Sequence, residues 1–581
     1  MLRTLLRRRK KALSAEDVTV ADRPQVRKAV TAAALGNTME WFDFGVYAYL
    51  AGTLGKVFFP SSSPGAQVVS TFATFAAAFI VRPLGGLVFG PLGDRVGRQK
   101  VLAATMIMMA ASTFAVGFLP TYSAVGFLAP ILLLVCRLVQ GFSTGGEYAG
   151  ATTYIAEYAP DKRRGFLGSW LDFGTFVGYS LGSGLVTVLT LVLGSDGLED
   201  WGWRIPFFVA GPLGLIGLYM RMKLEETPAF KREAAYAHAQ ASGKRADEDP
   251  VEQARQSGRG RVREIFARHW EAVLICMGLV LLYNVTNYMV TSYLPTYMTV
   301  TLGESDTTAQ LLVLGTMLLV VLLITTVGRT SDRWGRRPMF MAGSIALIAL
   351  SYPAFLLIRE GGILLPAFGC VILGVLLVMF AGTAAATLPA LFPTRIRYGA
   401  LSIAYNLSVS LFGGTTPLFA SALVEATGNK MVPAYYLMVA GAIGLLSTFF
   451  LHETAGRPLR GSGPMVETPE QARTLVARSR TAAGRQARDI WVRLRHPHAR
   501  HPSSDDECRA VREVPGLARR RTGLAPGSFD LVLSDAPYVA TVYRRRRPHG
   551  AARAWEGGAD GRDVDRVCAR RTGRCVYAAC C

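Results

Sequence analysis

Long apolar stretches alternate along this chain with short charged connections. Apolar runs of spanning length fall at about 29–52, 68–92, 101–120, 125–150, 165–193, 204–223, 271–299, 308–330, 338–358, 363–390, 398–425 and 433–452. Each holds the roughly 20 mainly apolar residues that a helix needs to cross a bilayer core. They divide six and six about a hydrophilic stretch at 224–268. The pattern predicts an all-α membrane protein of twelve transmembrane helices in two six-helix halves. Its parts are a segment 1–28, a bundle 29–223, a linker 224–268, a second bundle 269–452 and a tail 453–581.

The connections carry the orientation. Basic residues collect at 94–100, at Asp161-Lys-Arg-Arg164, in the central stretch, at 329–337 and around Arg395 and Arg397, while the intervening connections are neutral, acidic or balanced. Basic loops stay on the cytoplasmic side, so both termini and the central linker are expected in the cytoplasm. The first 26 residues are basic and lack an apolar core, unlike a cleavable signal.

Composition agrees with the periodicity. Half of the 581 residues are hydrophobic and 18% are charged, a balance unlike that of soluble chains. The net charge of +22 raises nucleic-acid binding as a class. Basic residues interleaved with spans argue against it. The tail differs from the rest, with 25 Arg against 14 Asp plus Glu, no Lys, and five of the eight cysteines. Those cysteines lack metal-site spacing and read as free thiols. Beyond about 498 the tail is Arg-, Pro- and Gly-rich without periodicity. It reads as a largely disordered basic tail or as a shifted reading frame.

One charged signature occurs twice, as Gly90-Pro-Leu-Gly-Asp94-Arg95-Val-Gly97-Arg98 and Gly328-Arg-Thr-Ser-Asp332-Arg333-Trp-Gly335-Arg336. The copies sit at matching points of the two halves. Repeated halves point to a carrier that rocks one half against the other. The glycines permit tight turns and close helix approach. Asp94 and Asp332 are suited to pair with arginines or to face a helix N-terminus.

Charges inside spans are costly and face a cavity or a partner. The candidates are Glu40, Asp43, Arg82, Arg137, Glu147 and Asp172. Glu40 and Asp43, three apart, share a helix face. Two neighbouring carboxylates in low dielectric resist double ionisation, which suits a site that loads and releases a proton. Arg137 is a partner for a carboxylate of the first span or for a substrate carboxylate. Glu147 is a second relay candidate, and Asp172 another proton site. Structural ion pairing stands beside each of these readings. The acids outnumber the bases, which favours a zwitterion or quaternary ammonium over a di- or tricarboxylate. Trp41, Tyr47, Trp170, Tyr283 and Tyr288 are aromatics available for a cation, and Asn284 and Asn287 make the seventh span unusually polar.

The duplicated signature resembles that of the major facilitator superfamily. Further stretches resemble its metabolite:proton symporters: Gly36-Asn-Thr-Met-Glu40-Trp-Phe-Asp43-Phe-Gly-Val-Tyr47, Gln140-Gly-Phe-Ser-Thr-Gly-Gly-Glu147-Tyr148, Trp201-Gly-Trp-Arg-Ile-Pro206 and Leu388-Pro-Ala-Leu-Phe-Pro-Thr-Arg-Ile-Arg397. Within that group the resemblance, over about 25–465, is to bacterial proline/glycine-betaine:proton symporters. It implies the major facilitator fold in a bacterial plasma membrane and proton-coupled import of an osmolyte by alternating access. It also implies that the duplicated signature is a gating latch. The alternatives are a proton symporter of an organic acid and, further off, a non-transporting membrane sensor. Some such relatives end in a coiled coil, and this tail has no heptad to form one. No phosphate loop, metal cluster or nucleophile motif stands out. The expected partners are therefore a small solute, protons and the bilayer, with anionic lipids attracted to the basic loops and tail. Neither cofactor, metal nor nucleic acid is expected.

Overall fold

The apolar stretches fold as helices. The computed structural model describes residues 13–60, 63–96, 98–145, 147–222, 265–394 and 396–481, with the side chains of 90–96, 98–100, 102, 217–218 and 220–222 left out of that description. Leu13–Ala477 form one compact unit that holds every helix named below. In the first half, α1 is Arg23–Tyr49, α2 Ala51–Phe58, α3 Pro64–Val96, α4 Arg98–Val116, α5 Leu128–Ser143, α6 Glu147–Tyr158, α7 Arg164–Gly197 and α8 Arg204–Met222. In the second, α9 is Trp270–Tyr288, α10 Asp306–Trp334, α11 Arg336–Arg359, α12 Leu364–Thr387, α13 Arg397–Ser408, α14 Thr416–Thr427 and α15 Val432–Phe450.

Among the described residues, nine helical spans are long and apolar enough to cross a membrane, and Ala103–Val116 and Arg204–Ile216 are shorter apolar helices. Helix α1 has the length but is interrupted by Asn37, Thr38, Glu40 and Asp43. Apolar side chains face outward: Leu87, Val192, Leu322, Leu364 and Phe449 are all more than 60% exposed, while Glu40, Asp43, Arg137 and Asp172 are buried. This inverted arrangement places the polar groups in the interior and leaves a surface suited to lipid.

The most extensive packing joins α1 to α7 and α7 to α10. The second contact ties one half to the other. Small residues make both possible. A Cβ at Gly178 would lie 2.3 Å from the carbonyl oxygen of Thr38, and one at Gly165 would lie 2.5 Å from that of Gly328. Close backbone approach replaces hydrophobic attraction as the adhesive between helices in lipid.

The duplicated signature is not a pair of loops. Its second copy forms the last turns of α10 and the first turn of α11, joined through Gly335 alone at φ 105°. A side chain rarely adopts that φ, hence the glycine. The first copy ends α3 and opens α4. Gly97 and the side chains of Asp94, Arg95 and Arg98 lie outside the described residues, as do most of the 224–268 linker and the tail beyond 481.

Four stretches wind as wider π turns: Leu198–Gly202, Met289–Tyr293, Tyr297–Thr301 and Val409–Gly413. Such turns frequently mark functional positions in helices. A two-residue strand β1 (Thr19–Val20) ahead of α1 pairs in parallel with β2 (Met465–Val466) beyond α15.

Candidate functional site

The polar side chains that the spans bury collect into three adjoining clusters. In the first, Glu40 on α1 accepts from Arg82 Nη2 on α3 at 3.0 Å, with both side chains at most 4% exposed. Arg82 Nε donates to Thr144 Oγ1 at 2.9 Å. Its guanidinium lies 4.8 Å from the Phe44 ring centre and 4.6 Å from that of Phe79. A buried charge survives only when its partners are this complete. The sequence offered Arg137 as the partner of a first-span carboxylate. The structure instead gives Glu40 to Arg82, deep in the interior.

Arg137 and Asp43 form the second cluster without touching. Asp43 accepts from Thr113 Oγ1 at 3.1 Å, Thr113 accepts from Gln140 Nε2 at 2.9 Å, and Gln140 accepts through Oε1 from Arg137. The Arg137 guanidinium sits 3.5 Å from the Tyr47 ring centre, and its Nε and Nη2 have no hydrogen-bond partner. Tyr47 spends its hydroxyl on Thr71 and Thr74, at 3.0 and 2.9 Å. It is therefore a platform for Arg137. Glu40 and Asp43 share a helix face and serve different hydrogen-bond partners.

The third cluster spans both halves. Asp172 on α7 accepts from the Tyr148 hydroxyl on α6 at 3.2 Å and from the Tyr283 hydroxyl on α9 at 2.9 Å. Tyr148 stacks on Tyr405 of α13, ring centres 4.4 Å apart. Glu147 opens α6 next to Tyr148, half-buried. Trp170 stands apart. Only partly buried, it packs against Phe166 and Phe173, outside the Asp172 cluster.

An aromatic wall stands between these clusters. The Trp41 ring lies 5.5 Å from Tyr179 and 6.0 Å from Tyr288, centre to centre, and Tyr288 lies 5.2 Å from Phe79. The Trp41 indole N–H is held by Asn37 at 3.1 Å, and Asn37 is anchored in turn on the carbonyl of Leu171. Around the wall, the hydroxyls of Tyr179, Tyr288 and Ser183 and Asn287 Oδ1 are buried without a hydrogen-bond partner. Thr291, Ser292 and Asn287 surround the Tyr179 hydroxyl. Buried polar atoms are rarely left unsatisfied, and these four lie together beside the aromatic wall. Tyr179 and Ser183 escaped the sequence reading. Their signal was the spacing of 175, 179 and 183 on one face of α7, hidden by an overall apolar stretch. Asn284 takes the carbonyl of Val280 at 3.0 Å and lies against Gly413.

The residues of the second signature copy join the two halves at one end of the bundle. Asp332 accepts from the backbone N–H of Gly165 at 2.7 Å and of Phe166 at 2.8 Å, the first turn of α7, and lies 3.6 Å from Arg336 Nη2. Arg336 is fully buried and donates to the carbonyl of Ala386 at 3.0 Å and to Thr454 Oγ1 at 3.0 Å. Arg333 and Gly328 flank this seat on α10. Beyond α15, Glu453 accepts from the backbone N–H groups of Arg336, Arg337, Thr454 and Ala455. Burial alone would raise the Glu453 carboxyl, but these four donors outweigh it and hold the group below its ordinary range. Among the described residues no group of three or more metal-ligating side chains occurs.

An inverted helical bundle with a charged, aromatic interior and a closed charged end defines a membrane carrier. Residues 29–465 match the sugar (and other) transporter family, and the chain belongs to it. It is a multi-pass membrane transporter and not an enzyme. A proline/betaine transporter of Salmonella typhimurium is 47% identical over 478 residues, covering 81% of this chain and 93% of that relative. A glycine betaine/proline/ectoine/pipecolic acid transporter of Dickeya dadantii is 45% identical over 510 residues, covering 86% and 100%. Among solved structures, a proton:xylose symporter of the major facilitator superfamily bound to 6-bromo-6-deoxy-D-glucose superposes with a TM-score of 0.60 at 21% identity, covering 75% of this chain and 98% of that one. A partially occluded, inward-open xylose transporter of Escherichia coli gives 0.55 at 18% identity, covering 73% and 98%. These two share the fold.

Proposed function

We propose that this chain imports a small zwitterionic osmolyte, proline or glycine betaine, together with protons. The observation that carries the reading is the Trp41–Tyr179–Tyr288 wall beside the buried Glu40–Arg82 pair. Aromatic faces attract a desolvated ammonium or quaternary ammonium by cation–π contact. Arg82 offers a matching site for the substrate carboxylate. The names of the two curated relatives support the same substrates.

Coupling follows from competition for Arg82. The guanidinium holds the Glu40 carboxylate, and a substrate carboxylate needs the same nitrogens. A proton arriving on Glu40 neutralises it and frees Arg82 for substrate. Losing substrate restores the pair and expels the proton. The Asp43–Thr113–Gln140–Arg137 chain and Asp172 supply further proton-carrying groups, and Glu147 stands beside Asp172's partner Tyr148. Tyr283, Asn284, Asn287 and Tyr288 bring the second half to the substrate, so binding draws the halves together.

In this reading the bundle has twelve spans. Helices α1, α4 and α8 complete the nine longer apolar ones. The Asp332 end, where basic connections gather, faces the cytoplasm together with both termini. Asp94, Arg95 and Arg98 would form the matching latch of the other half. A second reading, an organic-acid symporter, draws on Arg137, whose Nε and Nη2 are unpartnered. Uptake of labelled proline, glycine betaine and succinate into carrier-deficient cells, with and without a protonophore, separates the two. Protonophore-sensitive proline or betaine uptake is expected. Uptake of succinate alone would overturn the osmolyte reading.

A further inference from the structure

The Asp332 seat has a counterpart at the opposite end of the bundle. There Glu425, in the last turn of α14, lies over the first turn of α3, a helix of the other half. Ser63 Oγ donates to Glu425 Oε1 at 3.4 Å. The carboxylate rests so closely on Gly65 that a Cβ there would fall 1.8 Å from Oε2. Behind this contact is a cavity of about 150 Å³ bounded by Val68 from α3 and by Tyr293, Tyr297 and Val424 from the second half. Both ends thus use one device: a carboxylate of the second half seated on a glycine in the first turn of a long helix of the first half. At a helix N-terminus a carboxylate is favoured by the unpaired N–H groups and the macrodipole.

We infer that Glu425 and Gly65 form the outer latch of the transport cycle. The seat must break for the cavity to open to the outside, and it must re-form before Asp332 lets go of α7. The two latches are unequal. Asp332 is half-buried and takes two backbone N–H bonds, whereas Glu425 is exposed and takes one hydroxyl. An exposed pair contributes little, so the outer door is the more easily opened one. Two further contacts between the halves flank this end: Thr187 Oγ1 to Gln310 at 3.3 Å and Ser195 Oγ to Asp306 at 3.1 Å. Neither seats a carboxylate on a helix start.

The outer placement rests on the topology proposed above, and the test separates the two claims. Val68 lines the cavity and is 5% exposed. A V68C chain in right-side-out vesicles is treated with a membrane-impermeant methanethiosulfonate, the parent chain with its eight cysteines giving the background. Glu425→Gln and Gly65→Ala should each raise the labelling rate by about two- to fivefold, the scale of one exposed pair. Gly65→Ala displaces only the flexible carboxylate, and Glu425→Gln adds no atoms, so the pair guards against misfolding of either. Asp332→Asn should lower the rate by loosening the opposite end. Unchanged rates in both Glu425→Gln and Gly65→Ala would overturn the latch. Increases confined to inside-out vesicles would overturn its outer placement and the topology with it. Labelling is read without substrate, so an error in the osmolyte assignment leaves the result intact.

Discussion

Arg82 is the residue on which the proposed chemistry turns. It is buried between two aromatic rings and tied to Glu40 at 3.0 Å. Replacing Glu40 by Gln removes the competitor for its guanidinium. Glu40→Gln should therefore abolish protonophore-sensitive accumulation while keeping exchange of internal for external substrate. Loss of both activities in well-inserted protein would remove Glu40 from coupling. Trp41→Ala should raise the KM for glycine betaine by about ten- to thirtyfold, the scale of a desolvated cation–π contact. Competition binding of choline to purified protein checks whether the loss lies with the cation. The sequence exposed the charged members of the site, because a charge inside an apolar run needs a reason. It did not expose their pairing. Glu40 and Asp43 look equivalent in a helical projection, and only the positions of α3 and α5 send one to Arg82 and leave the other near Arg137. Tyr179 went unread because its polar face, shared with Thr175 and Ser183, lies within an otherwise apolar span.

At the scale of elements, the α7–α10 crossing decides how firmly the Asp332 end closes. Gly165 meets backbone and the Asp332 carboxylate together, so an added methyl cannot be absorbed by a rotamer change. Gly165→Ala should cost the closed state about 1–3 kcal/mol, the usual penalty of overpacking. It should lower the melting temperature in detergent, whereas Gly184→Ala, with open space around it, should not. The nine longer apolar spans found among the described residues were legible because span length is fixed by the bilayer. Their interruptions were not. The break between α5 and α6 near Thr144, the π turns after Tyr288 and the helical character of the duplicated signature all depend on tertiary contacts.

Across the whole molecule, the segment that follows α15 is bonded to both halves. The Arg164 guanidinium reaches the Arg457 carbonyl at 3.1 Å, Arg397 reaches that of Arg460 at 3.0 Å, and Asp161 exchanges backbone and side-chain bonds with Met465 at 3.0 and 3.1 Å. Glu453 anchors the start of this run on α11. Because its folded pKa is depressed, its contribution is present above the ordinary carboxylate range and is lost as pH falls through the depressed value. Glu453→Gln should thus melt earlier than the parent at neutral pH, and the gap should narrow as the buffer is acidified into that range. A gap that is constant with pH would remove Glu453 from the linkage.

That same run has a consequence for how the polypeptide can be cut. It leaves the second bundle yet is bound by the first, to Asp161, Arg164 and the strand ahead of α1. The halves are thereby sewn together by a seam that does not pass through residues 224–268. Two separate polypeptides, one ending at 240 and the other starting at 250, should find each other when co-expressed and should co-purify through a tag on either. Deleting 457–467 from the second piece should lower the yield of co-purified partner, with the α7–α10 contact left to hold the remainder.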